Sequence, residues 1–164
     1  MSTSTARRLA ARIVDRLGYV EALVDEAAPF GDASDIVLIK SDGLTFSVLC
    51  IVDAERDDSK RFRMERAEAK EVLSHCRDRF CGTIAGAKQP ALLEIVELRN
   101  AFRADDLKRL KAFSNRFFDT DSISAFVVNT SETRAITATR WSFWNGRRRF
   151  LEREMRGLRS GVAP

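Results

Sequence analysis

The apolar positions of this chain recur with a period that changes from segment to segment, and each change marks an element. After Ser2 to Thr5, which supply candidate N-caps, Leu9, Ala10, Ile13, Val14, Leu17, Val20, Leu23, Val24 and Ala27 recur at three- and four-residue steps. That spacing predicts an amphipathic helix over 5–28, closed by Pro29 and Gly31. Gly18 interrupts it, and an interior glycine costs about 1 kcal/mol relative to alanine, so one helix or two short ones would fit. Asp35 to Lys40 and Thr45 to Val52 are β-branched runs separated by Ser41-Asp42-Gly43-Leu44, which predicts a β-hairpin over 35–53. A two-residue Asp42-Gly43 turn would set Ile39 opposite Phe46, Val37 opposite Val48 and Asp35 opposite Cys50. Both faces of these strands are largely apolar, so the hairpin is expected inside the sheet and covered on both sides.

The charged stretch Asp53 to Arg63 reads as a loop, and Ala69, Val72, Leu73, Cys76 and Phe80 then mark one face of a helix over 64–81 that stops at Gly82. Ala91 to Leu98 is an apolar run interrupted by Glu94, predicting a strand over 91–99. Leu107, Leu110, Phe113 and Phe117 predict a helix over 104–118, begun by Asp105 and Asp106, whose charges suit a helix N-terminus. A second hairpin over 122–141 follows, with Asn129 to Glu132 as its loop. Its second strand alternates polar and apolar residues, which suggests one wetter face or an edge strand. Phe150, Leu151, Met155 and Leu158 define one side of a basic helix over 147–159, and 161–164 should fray. The order predicts a single α/β (α+β-like) domain over 1–160. Its mixed sheet has about five strands, built from two β-hairpins and a central strand and flanked by about four helices.

Composition narrows the class without naming an activity. With 45% hydrophobic residues in 164, the chain can bury the core of one domain, which excludes a disordered polyelectrolyte. The longest apolar stretch, Val48 to Val52, is far short of the roughly 20 residues that span a bilayer, and no signal core opens the chain. Three cysteines do not make a disulfide framework, so a reducing cytoplasm is the expected compartment. Charge is distributed unevenly: residues 1–60 carry a net −4 and residues 121–164 a net +4. All eight cations of that last block are arginines, six of them between Arg147 and Arg159, so a local basic surface is expected there.

Candidate chemistry is sparse. His75, Cys76 and Cys81 lack the second ligand cluster that zinc requires, so no metal or other cofactor is expected. A single histidine also weakens every Ser-His or Cys-His nucleophile scheme. The segment Gly82 to Gln89 has two glycines and a lysine but joins helix to strand, the reverse of a phosphate-cradling loop. Four acids on predicted strands, Asp35, Asp53, Glu55 and Glu94, would suit a divalent cation if the strand ends aligned. Acids on a mixed sheet flanked by helices resemble the layout of restriction-endonuclease-like nucleases over residues 35–98. That resemblance implies metal-dependent phosphodiester hydrolysis. The chain departs from the family in two respects: neither Asp53-Ala54-Glu55 nor Glu94-Ile95-Val96 places a lysine two residues after an acid, and no three-strand meander is expected. The plainer expectation makes Asp35, Asp53 and Glu55 polar strand ends and pairs Glu94 with a neighbouring arginine.

Trp141 to Phe150 is the most distinctive segment. Trp144 with Arg147, Arg148, Arg149 and Arg153 would suit an anionic surface, because aromatic rings beside guanidinium groups stack on bases or rest at a lipid interface. The competing expectation tucks Trp141, Phe143, Trp144 and Phe150 onto the sheet and leaves the arginines in water. The expected function is a non-catalytic cytoplasmic binding or regulatory domain. A protein is its first expected partner, with nucleic acid or an anionic membrane surface reached through the basic segment. The alternatives are a metal-dependent nuclease using the strand carboxylates, and the soluble cytoplasmic domain of a larger membrane-associated protein, whose membrane flank the basic helix would form.

Overall fold

The computed structural model describes residues 4–22, 35–55, 73–75, 78–79, 90–113, 122–138 and 142–161. Helix α1, Thr5–Leu17, opens on Ser4, whose hydroxyl accepts from the Arg7 N–H at 3.3 Å. It ends at Gly18, where φ of 70° takes the backbone left-handed and the glycine N–H bonds to the Val14 carbonyl. The expected helix over 5–28 therefore stops eleven residues early. The glycine turns the chain back along the sheet, and Val20–Glu21 forms β1. Residues 23–34 lie outside the described ones.

Strands β2, Ile36–Ser41, and β3, Phe46–Asp53, form the first hairpin. Its register differs from the expected one: Ser41 faces Phe46, Ile39 faces Val48 and Val37 faces Cys50. The loop thus runs from Asp42 to Thr45. One Asp42 carboxylate oxygen accepts from the Leu44 and Thr45 N–H groups at 2.9 and 2.7 Å, and the other from the Thr45 hydroxyl at 3.0 Å. That wider turn uses four residues where a type I′ turn uses two. The two-residue shift leaves every side chain on its expected face, because strand side chains alternate.

Strand β4, Ala91–Arg99, runs parallel to β3, and β5, Ser122–Asn129, runs parallel to β4. Strand β6, Arg134–Thr137, returns antiparallel at the edge. The mixed sheet has six strands in sequential order, one more than expected, and the addition is β1. β1, β2 and β3 form an antiparallel meander, which the sequence does not reveal because β1 is only two residues long and follows a helical pattern. β6 ends at Thr137, short of the expected Trp141; residues 139–141 are not among those described.

Helix α2, Asp106–Phe113, starts two residues after its expected beginning, with an Asp106 carboxylate oxygen accepting from the Arg103 N–H at 2.6 Å. Helix α3, Ser142–Arg159, starts five residues earlier than expected and includes Gly146. Packing of Leu151, Met155 and Leu158 outweighs the roughly 1 kcal/mol helix penalty of that glycine. Residues 73–75 and 78–79 are helical, while the remainder of the helix expected over 64–81 and the loop Gly82 to Gln89 lie outside the described residues.

Alternate residues of each strand build two cores. One face of the sheet, with Leu38, Leu49, Ile51, Val96, Leu98, Phe126 and Val128, is covered by Leu9 and Ile13 of α1 and Leu151 and Met155 of α3. The other, with Val48, Cys50, Leu93, Ile95, Ala125 and Val127, packs against Leu73 and Leu110. Successive parallel strands placed side by side step in one direction, so crossovers of one hand put their helices on the same face. Leu73 and Leu110, one from each crossover, lie in that shared core.

Candidate functional site

The parallel strands end in a hydrogen-bonded polar rim. In open α/β sheets ligands bind beyond the carboxyl ends of parallel strands, in the crevice that opens where strand order reverses. Here the order never reverses, and the strand ends bind one another. The Thr130 hydroxyl donates to a Glu55 carboxylate oxygen, Asn100 Nδ2 donates to the Glu55 carbonyl at 3.0 Å, and the Thr130 N–H donates to the Arg99 carbonyl. Asp35 accepts from the Asp53 N–H at 2.7 Å, and Asp53 from the Glu55 N–H at 3.3 Å. Three of the four candidate acids therefore meet at this rim, Asp35 and Asp53 tied to backbone N–H donors and Glu55 to the Thr130 hydroxyl.

Glu94, the fourth, is elsewhere. It pairs in register with Leu49, whereas Asp53 pairs with Leu98, so four residues of strand, about 13 Å, separate the two levels. Glu94 is fully buried beneath α3, where Arg147 Nε lies 3.1 Å from Oε1 and 2.9 Å from Oε2. Arg147 Nη2 also donates to the Tyr19 hydroxyl at 3.2 Å. Burial raises the Glu94 pKa, against the lowering pull of Arg147. Burial, with the nearby Glu94 charge, likewise pushes Tyr19 up to about 12. On the opposite sheet face Glu97 and Asp106 bind Arg99 at 3.1 and 2.7 Å, and Glu97 also binds Arg109 at 3.2 Å, two acids balanced by two bases. Among the described residues no group of three His, Cys, Asp or Glu side chains is placed to hold a metal ion.

The C-terminal arginines divide into two sets. Arg147, expected in the anionic-surface group, is only 11% exposed and locks α3 to the sheet through Glu94, so it is withdrawn from any outer surface. Arg148 is half-buried, Arg149 is exposed, and Arg153 stays 63% exposed although it touches Glu154. Trp144 lies on the helical backbone of α3, with its side chain outside the described residues.

Helices α1 and α3 lie side by side and antiparallel: Arg8 Nη2 donates to the Leu158 carbonyl, while Arg12 and Arg16 reach Glu154. Glu154 is completely buried, with Arg12 Nη1 at 3.1 Å, Arg16 Nη1 at 3.0 Å and Arg153 Nε at 3.3 Å. Three guanidinium groups meet at this carboxylate, and among the described residues Arg16 and Arg153 have it as their shared acidic partner. Gly157 makes room for Arg12, since a Cβ there would come within 2.6 Å of Nη1. Arg149 and Arg156 are exposed on the same side of α3 as Arg153, at helical spacings of four and three. Arg12, Arg16, Glu154 and Gly157 are not among the candidate residues that the sequence offers. A signal for them was present: Arg8, Arg12 and Arg16 recur every fourth residue, and Glu154 falls among the apolar positions 151, 155 and 158.

No protein-family model, curated protein or solved structure matches the chain. Among the described residues no helix is long and apolar enough to cross a membrane.

Proposed function

We propose that this chain is a non-catalytic binding domain that presents the α1–α3 seam to an anionic partner. The supporting observation is a concentration of positive charge at a fixed place: among the described residues Arg16 and Arg153 share Glu154 as their one acidic partner, with Arg149 and Arg156 exposed beside them. Elsewhere the buried charges are matched. Glu94 is paired with Arg147, and Glu97 and Asp106 with Arg99 and Arg109. A partner of opposite charge gains from such a surface, and binding through it weakens with salt. Retention on immobilised heparin, used as a generic polyanion, tests this. The wild-type chain should bind at low salt and elute on a gradient, and the triple variant Arg149→Gln, Arg153→Gln, Arg156→Gln should elute substantially earlier while melting at the same temperature. Passage of the folded wild-type chain through the column at low salt would remove the basis of the reading.

A further inference from the structure

The seam is more specific than a diffuse patch. Arg16 is 37% and Arg153 63% exposed, and Glu154 is the one acidic partner of each among the described residues. Arg16 uses Nη1 on that carboxylate and Arg153 uses Nε, so each guanidinium keeps other N–H donors on its exposed side. The ring of Phe150, 5.4 Å from the Arg153 guanidinium, further restricts where that group sits. Both guanidinium groups contact the same Glu154 oxygen, Oε1, so their remaining donors lie near one another, and a phosphate offers enough acceptor oxygens to engage both.

We propose that the α1–α3 seam seats the backbone phosphates of a nucleic-acid strand, one phosphate bridging Arg16 and Arg153 and its neighbours following Arg149 and Arg156. This rests on the anionic-partner reading and names the partner's chemistry. Extension favours a polymer over a lone headgroup. Arg149, Arg153 and Arg156 span seven residues of one helix face, about 10 Å at 1.5 Å per residue, with Arg8 and Arg16 across the seam. A membrane surface fits less well, since an interfacial helix buries its apolar side in lipid and the apolar side of α3, Leu151, Met155 and Leu158, is already spent on the sheet. Glu154 acts here as a positioning residue, orienting guanidinium groups without touching the phosphate.

Fluorescence anisotropy with a short labelled DNA single strand, measured across a salt series, distinguishes a seat from simple charge. Arg16→Lys keeps the charge and loses the planar fork, so a seat predicts affinity reduced about tenfold, whereas diffuse charge predicts no change. Glu154→Gln adds net positive charge, so diffuse attraction predicts tighter binding; the seat predicts weaker binding because the forks lose their anchor. The double variant Arg16→Gln, Arg153→Gln removes the one phosphate that both guanidinium groups hold, so it should reduce the slope of log affinity against log salt by about 0.7, the value for one lost phosphate contact on a single strand. Should Glu154→Gln fail to fold, Arg16→Lys, at a half-exposed position, still decides between the two. Unchanged binding by Arg16→Lys would overturn the seat. Retention on heparin without binding to DNA would overturn the nucleic-acid assignment while leaving the anionic-partner reading standing, and an acidic peptide would then be the partner to test. A wild-type chain that binds neither overturns both.

Discussion

Arg147 shows how one side chain decides whether a basic segment faces water. Its neighbours Arg148 and Arg149 share its charge, but among the described residues Arg147 alone of the three meets a buried carboxylate, and that contact fixes the entry of α3 onto the sheet. Removing one member of a buried pair strands the other, at a cost of about 3–5 kcal/mol, whereas replacing both by apolar groups of similar size is often neutral. Arg147→Met should therefore lower the urea midpoint severely, and Glu94→Leu combined with Arg147→Met should recover most of the loss. Equal destabilisation by the single and double variants would show that the ion pair is not the cause. Tyr19 gives this cluster a pH signature. Its phenol holds a proton to about 12, against 10.0 when unperturbed, so the unfolded chain ionises first. The contribution of protonated Tyr19 is intact below pH 10 and lost as pH rises from 10 towards 12, at up to about 1.4 kcal/mol per pH unit. Tyr19→Phe has no proton to lose. Once aligned at neutral pH, the stability curves of the two proteins should diverge across that window, wild type falling below Tyr19→Phe, and curves that stay superimposed would contradict the assigned burial.

At the scale of elements, the first hairpin owes its register to side-chain hydrogen bonding in its turn. Asp42 accepts from two backbone N–H groups and a hydroxyl, which holds its carboxyl below the usual carboxylate range. Gly43 follows with φ of 85° and nothing within 4 Å of where a Cβ would stand. A β-branched residue there meets no steric wall but must adopt a left-handed backbone, so Gly43→Val should cost about 1–3 kcal/mol through strain alone. Equilibrium urea unfolding would reveal this as a lower midpoint with an unchanged slope. A midpoint equal to wild type would mean that the turn relaxes to a different conformation. Gly18 and Gly157 have other roles: the first ends α1 and begins β1, and the second admits Arg12 to the helix seam.

Across the whole molecule, sequential strand order governs where a binding surface can form. A sheet that adds strands without reversing direction has no switch-point crevice, and Glu55, Asn100 and Thr130 link the carboxyl ends of its parallel strands to one another. Both parallel crossovers contribute to the core on one face, leaving α1 and α3 together on the other. That arrangement joins Arg8, Arg12 and Arg16 near one end of the chain to Arg153 and Glu154 near the other, giving a charged surface contributed by two segments more than 130 residues apart.

Local pattern determined much of this architecture. The strand over 91–99, the apolar strands of the first hairpin and the edge position of β6 are legible because a period of two and the residues at turns act over a few positions. Tertiary contacts decided the rest. A two-residue β1 carries too little periodicity to compete with the helical pattern around it, and it exists because β2 offers it a partner. The early start of α3 through Gly146 is likewise set by a sheet that its apolar side covers. Which arginines are buried and which face water could not be read from their spacing, since all carry the same charge on the same kind of element. Arg147 is buried because strand register sets Glu94 beneath α3, and Arg12 because helix pairing brings it onto Glu154, contacts that link positions far apart in the chain.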